Sequence, residues 1–154
     1  MKYLITGITG QDGLHLTSKI LSSASKDSVL GITRTIPNKS FFKNLEYLIP
    51  KADFKSVELT SIDMLKSYDV EKVISDYRPD MIFNLSGPSS VYNSFANPQS
   101  TVDSIYGIFN NLVNACVKNN NFCSFFQPSS SEMFKDSKGE RLTEKSELEP
   151  LSPY

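Results

Sequence analysis

Two stretches of the sequence gather residue types that could do chemistry. In the first, Thr6-Gly7-Ile8-Thr9-Gly10-Gln11-Asp12-Gly13 spaces its glycines as G-x-x-G-x-x-G between the apolar run Tyr3 to Thr6 and the helix-compatible Leu14, Leu16, Ile20 and Leu21. Strand, glycine turn and helix in that order suit a dinucleotide. The turn is tight, the backbone must approach a pyrophosphate, and the helix N-terminus offers N–H groups and a positive dipole end. Thr6, Gly7, Thr9, Gly10, Gln11, Asp12 and Gly13 are therefore the candidate contacts, against the plain alternative of a tight βα turn that binds nothing. In the second stretch, Gln127-Pro128-Ser129-Ser130-Ser131-Glu132-Met133-Phe134 places hydroxyls and one carboxylate just after an apolar run. Ligands of open α/β sheets bind at that end of a strand, although serines there more often serve turns and caps.

A third position bears on the choice of dinucleotide. Arg34 directly follows the second apolar run, 21 residues beyond Gly13, where an enzyme using NAD would place an acidic residue against the ribose hydroxyls. An arginine there can accept a 2′-phosphate, so NADP is the expected cofactor. A solvated loop arginine is the other reading.

These residues need a scaffold, and the apolar runs supply one. Tyr3 to Thr6, Val29 to Thr33, Phe54 to Leu59, Met81 to Leu85 and Phe122 to Gln127 read as five strands alternating with helical stretches, the pattern of βαβ units around a parallel sheet. Val102, Ile105, Phe109, Leu112, Val113, Cys116 and Val117 fall on one face of a helix that should pack on that sheet. A second helix is predicted from Ile62, Leu65, Val70, Val73, Ile74 and Tyr77, with Thr60 or Ser61 as N-cap and Pro79 beyond its end. Arg34 to Asp53, with Pro37 and Pro50, is expected to hold a loop and one short helix, and the polar tail after Phe134 to be loop. At the end of the fourth strand Asn84, Leu85, Ser86 and Gly87 could line the cofactor groove.

Composition narrows the classes. The chain has 154 residues, 39% hydrophobic and 21% charged, as one soluble domain would. Its net charge of −1 offers no broad basic surface, so nucleic acid is not an expected partner. No apolar run approaches a membrane span or a secretory signal, and the expected location is the cytoplasm. Cys116 and Cys123 lack neighbours at metal-ligand spacing and read as reduced apolar residues, so no metal site is expected. His15, the only histidine, is assigned no role.

Together, the glycine stretch and the Gln127 to Phe134 stretch resemble the extended short-chain dehydrogenase/reductase family, and within it the N-terminal half of the GDP-mannose 4,6-dehydratases. Gly31-Ile32-Thr33-Arg34, Glu58-Leu59-Thr60, Phe83-Asn84-Leu85-Ser86-Gly87 and Ser152-Pro153-Tyr154 extend the likeness over the whole chain. The resemblance implies a Rossmann-like, doubly wound parallel α/β sheet, with Glu58 and Leu59 added to the cofactor contacts. It also implies a catalytic set of Ser130, Glu132 and Tyr154, from the family's Ser or Thr, the Glu two positions later, and the Tyr of a Y-x-x-x-K motif. In that chemistry the tyrosine takes the proton of the sugar 4-hydroxyl, the serine holds the reacting oxygen, and hydride passes from C4 to NADP. The glutamate then takes the C5 proton, water leaves from C6, and the hydride returns there.

The resemblance further implies a nucleotide-sugar substrate, GDP-mannose, and assembly as a homo-oligomer. The sequence departs from the family at Pro128, at Ser86-Gly87-Pro88, at Glu58 and at Thr35. It also stops at Tyr154, before the lysine of the motif and the sugar-nucleotide-binding region. The expectation is thus a truncated NADP-binding domain, inactive alone. The alternatives are a related epimerase or 4-keto reductase, or a non-catalytic dinucleotide-binding module.

Overall fold

A computed structural model describes residues 1–23, 26–36, 39–50, 52–135, 139 and 141–154. The β-branched and aromatic runs form one sheet of β1 (Lys2–Thr6), β2 (Ser28–Thr33), β3 (Val57–Ser61), β4 (Met81–Asn84) and β5 (Ser124–Phe126), ordered β3-β2-β1-β4-β5. Every adjacent pair is parallel. The chain winds outward from β1 to β3 and then crosses back to β4 on the other side of β1. That reversal opens a crevice beyond the carboxyl ends of β1 and β4.

Helices α1 (Gln11–Ser23), α2 (Ser40–Leu48), α3 (Ser67–Tyr77), α4 (Val91–Ala96) and α5 (Pro98–Lys118) cover the sheet, and a 3-10 turn, Ser131–Met133, follows β5. Successive strand residues face opposite sides, so Leu4 and Ile5 enter different cores. Leu4 joins Leu30, Ile32 and Ile82 against Val70 and Ile74 of α3 and Ile108, Leu112 and Ala115 of α5. Ile5 joins Val29 and Val57 against Ile20 of α1 and Phe41 and Leu45 of α2. The doubly wound Rossmann-like sheet expected from the sequence is what the chain forms.

Several boundaries differ from the sequence reading. Thr60 and Ser61 do not cap a helix; they complete β3 by pairing with Ile32 and Thr33, and α3 begins only at Ser67. A turn fills the gap, with the Leu65 and Lys66 N–H groups donating to the side chain and carbonyl of Asp63, each at 3.0 Å. β3 therefore spans 57–61 rather than 54–59, and β5 is shorter than expected because Phe122 stands 96% exposed outside the ladder. The long helix starts earlier, with Pro98 in its first turn, where a missing N–H costs no intrahelical bond. Ahead of it lies α4, which the sequence reading did not contain, capped by the Ser90 hydroxyl accepting from Asn93 N–H at 3.2 Å. The short helix expected between Arg34 and Asp53 is α2, while Pro37 lies outside the described residues. Among the described residues no helix is long and apolar enough to cross a membrane.

Candidate active site

The glycine turn is built as its spacing requires. Gly7 has φ +65, and a Cβ there would stand 2.6 Å from the Leu85 carbonyl oxygen, so β1 leaves the sheet against the β4 loop at a distance only glycine permits. Gly7 N–H donates to Ile32 O at 3.0 Å and Gly10 N–H to Gly7 O at 2.9 Å, closing the turn. α1 then starts at Gln11, so the N–H groups of its first turn are those that helix geometry leaves without intrahelical partners. Gly13 serves packing instead: it is buried, and a Cβ there would meet Ile8 at 2.6 Å.

Two cavities adjoin along the carboxyl edge of the sheet. One, of about 690 Å³, is lined by Gly7, Thr9 and Gly10 of the turn, by Arg34 beyond β2, by Asp63 and Met64 beyond β3, and by a polar row on α4 and α5. That row, Asn93 on α4, Asn97 between the two helices and Ser100, Thr101 and Ser104 on α5, escaped the sequence reading, which did not contain α4. The second cavity, of about 570 Å³, is lined by Asp12, Asn84, Gln127, Ser130, Glu132 and Tyr154, with Ile105, Tyr106 and Phe109 of α5. Leu85, Ser86, Gly87 and Pro88 line both, so the two form one groove bent over the β4 loop.

The three residues assigned to catalysis thus meet in one cavity. Ser130 stands before the 3-10 turn, its Oγ accepting the Glu132 N–H at 3.2 Å. Tyr154 reaches the same space because the tail is fastened rather than free. Phe134 and Leu148 form an antiparallel bridge, Glu149 N–H donates to Met133 O and Lys135 N–H to Glu147 O, each at 3.0 Å. Lys135 Nζ adds exposed ion pairs to Glu147 and Glu149, at 3.4 and 3.0 Å.

Other candidates stand elsewhere. Glu58 and Leu59 lie inside β3, paired with Leu30 and Gly31, and line neither cavity. Because β3 runs on to Ser61, the groove is met by Asp63 and Met64 instead. Thr6 is fully buried, its hydroxyl donating to Asn84 Oδ1 at 2.7 Å and accepting from Ser86 N–H at 3.1 Å. Thr6, Gln11 and Gly13 line neither cavity. Among the described residues no cluster of three or more His, Cys, Asp or Glu could hold a metal ion.

Known proteins resemble this chain in sequence and in fold. A family model described as GDP-mannose 4,6 dehydratase matches residues 4–154. GDP-mannose 4,6 dehydratase 2 of Arabidopsis thaliana is 31% identical over 157 residues, which cover 98% of this chain and 41% of that protein. In fold, the chain matches the UDP-Glc/GlcNAc 4-epimerase of Campylobacter jejuni with a TM-score of 0.84 at 19% identity, covering 99% of this chain and 44% of that one. It matches UDP-glucose 4-epimerase of Thermus thermophilus, solved in complex with NAD, with a TM-score of 0.76 at 23% identity, covering 100% and 46%. The chain therefore spans less than half the length of these relatives. Since the family match runs through the glycine turn, Ser130, Glu132 and Tyr154 alike, the chain belongs to the GDP-mannose 4,6-dehydratase family of extended short-chain dehydrogenase/reductases.

Proposed function

We propose that this chain forms the dinucleotide-binding and acid–base part of a nucleotide-sugar 4,6-dehydratase, acting on GDP-mannose with NADP to give the 4-keto-6-deoxy product. The observation that carries the proposal is the single cavity shared by Ser130, Glu132 and Tyr154, opening onto the groove of the glycine turn.

The groove suits the cofactor. Gly7 and Gly10 line the cavity at the start of α1, whose first-turn N–H groups suit a pyrophosphate, and Gly7 holds the turn closed because a Cβ there would stand 2.6 Å from Leu85 O. Arg34 lines the same cavity, where its guanidinium suits a 2′-phosphate. Bound there, NADP would take hydride from the sugar C4 and return it at C6. The protein's own part is proton traffic and orientation: Tyr154 receives the 4-hydroxyl proton, Ser130 holds that oxygen by a hydrogen bond, Glu132 removes the C5 proton so that water can leave from C6, and a proton from solvent is returned to C5 as hydride adds at C6. Glu132 separates this reading from a 4-epimerase or 4-keto reductase, whose chemistry removes no C5 proton.

The sugar-nucleotide-binding portion and the motif lysine would be supplied outside these 154 residues. A homo-oligomer belongs to the same proposal, since Tyr92 and Phe95 of α4 and Val102 of α5 are exposed apolar residues outside both cavities. A cytoplasmic location does too, because the free thiols of Cys116 and Cys123 suit a reducing compartment.

The test is a chimera that joins residues 1–154 to the part of the Arabidopsis relative beyond the matched stretch. Incubated with NADP and GDP-mannose, it should convert the sugar nucleotide to a species lighter by one water in the mass spectrum. An isomer of unchanged mass would favour the epimerase reading.

A further inference from the structure

Thr6 ends β1, Asn84 ends β4 and Gln127 directly follows β5, so the three stand side by side at the carboxyl edge of three adjacent parallel strands. Thr6 is paired with Asn84 across β1 and β4, and Phe83 with Phe126 across β4 and β5, which brings Gln127 beside Asn84 just past the end of β5. Their side chains form one line of hydrogen bonds. Ser86 N–H donates to Thr6 Oγ1 at 3.1 Å, Thr6 O–H to Asn84 Oδ1 at 2.7 Å, Asn84 Nδ2–H to Gln127 Oε1 at 2.7 Å, and Gln127 Nε2–H to the Pro128 carbonyl at 3.2 Å. Thr6 and Asn84 are 0% and 1% exposed, whereas Gln127 is exposed and lines the cavity of Ser130 and Glu132.

The line joins two halves of the groove. Its inner end lies under Gly7 and Ser86, on the dinucleotide side, and its outer end is Pro128, two residues before Ser130. Pro128 has no N–H with which to extend the β5 ladder, which ends at Phe126, so the Gln127 side chain supplies a tie that the backbone does not. A hydroxyl or carboxamide as deeply buried as Thr6 and Asn84 is costly to leave unpaired, so each member holds the next in place.

We propose that Asn84 is a positioning residue, transmitting the geometry of the Gly7 turn through Gln127 to the segment that carries Ser130 and Glu132. A ligand seated on the glycine turn would then fix where those two groups stand. The inference rests on the reading of Ser130 and Glu132 as reacting groups, but the coupling can be measured without turnover.

Thr6→Val keeps the side-chain shape and removes the hydroxyl. In proton–nitrogen correlation spectra of the 154-residue chain, this variant should shift the Gln127 side-chain amide and the Ser130 and Glu132 backbone amides, and Thr6→Ser should restore them. Should Thr6→Val fail to fold, Gln127→Leu at the exposed end should shift the Ser86 amide and the Asn84 side chain instead. A folded Thr6→Val that moves only Ser86 and Asn84, or a Gln127→Leu that leaves Ser86 unmoved, overturns the proposal. Because these signals report the tie whether or not any nucleotide sugar reacts, failure of the functional reading and failure of the tie are separate results.

Discussion

Gly7 and Leu85 approach so closely that a Cβ on the glycine would stand 2.6 Å from the leucine carbonyl oxygen, and Gly7 also has φ +65. Gly7→Ala therefore combines a left-handed backbone with a clash against main chain that cannot swing away. The expected cost is about 1–3 kcal/mol of stability, read as a lower melting temperature, together with loss of dinucleotide binding in a titration. A variant that melts and binds as the parent does would remove the glycine turn from the account.

Arg34 lines the groove beyond β2. If it pairs with a 2′-phosphate, Arg34→Ser should weaken NADP binding by about 1.5–3 kcal/mol, roughly ten- to a hundredfold, and leave NAD binding nearly unchanged. Calorimetric titration with both dinucleotides measures the difference. Equal losses for the two would assign Arg34 a role in the fold rather than in selection.

For Glu132, the expected signature is catalytic rather than structural. The side chain is exposed in the groove, so Glu132→Gln should fold normally and bind NADP as the parent does, yet slow dehydration by the chimera about 10²–10⁴-fold. Steady-state rates on GDP-mannose, with NADP affinity as the control, check this.

Cys116 gives a pH dependence whose sign is fixed. Burial, aided by Cys123 with its Sγ 3.8 Å away, pushes the Cys116 thiol from an ordinary value of 9.0 up to about 12. The unfolded chain gives up this proton more readily than the folded one, so the stabilisation is complete below pH 9.0 and is lost as pH rises toward 12. The melting temperature should fall across that window, and Cys116→Ala should make the fall shallower. The site is only half-buried, so the effect is modest.

The parts of this molecule legible in the sequence are those governed by local demands. Gly7 announces a turn because its positive φ and its approach to Leu85 exclude a side chain, and β1 and β4 read clearly because Leu4, Ile5 and Ile82 are apolar for burial on both faces of the sheet. The end of β3 is not local. Thr60 and Ser61 have the chemistry of helix caps, and only their pairing with Ile32 and Thr33 makes them strand. That shift carries the groove contacts from Glu58 and Leu59 to Asp63 and Met64. α4 escaped for a different reason: it has six residues, and its Tyr92 and Phe95 face solvent, so no apolar period marks it. The family motif singles out Tyr154, whereas what brings it into the cavity is the long-range bridge between Phe134 and Leu148, which composition does not reveal.

The most direct test of the account is the fate of the C5 hydrogen. The chimera is incubated with NADP and GDP-mannose in deuterated water, and the product is read by mass spectrometry and NMR. If Glu132 removes the C5 proton and water leaves from C6, the product will have lost one water and carry one solvent deuteron at C5. A chimera that binds NADP yet gives a product with its water retained and no deuterium at C5 would contradict the dehydratase assignment and leave the epimerase or reductase reading in its place.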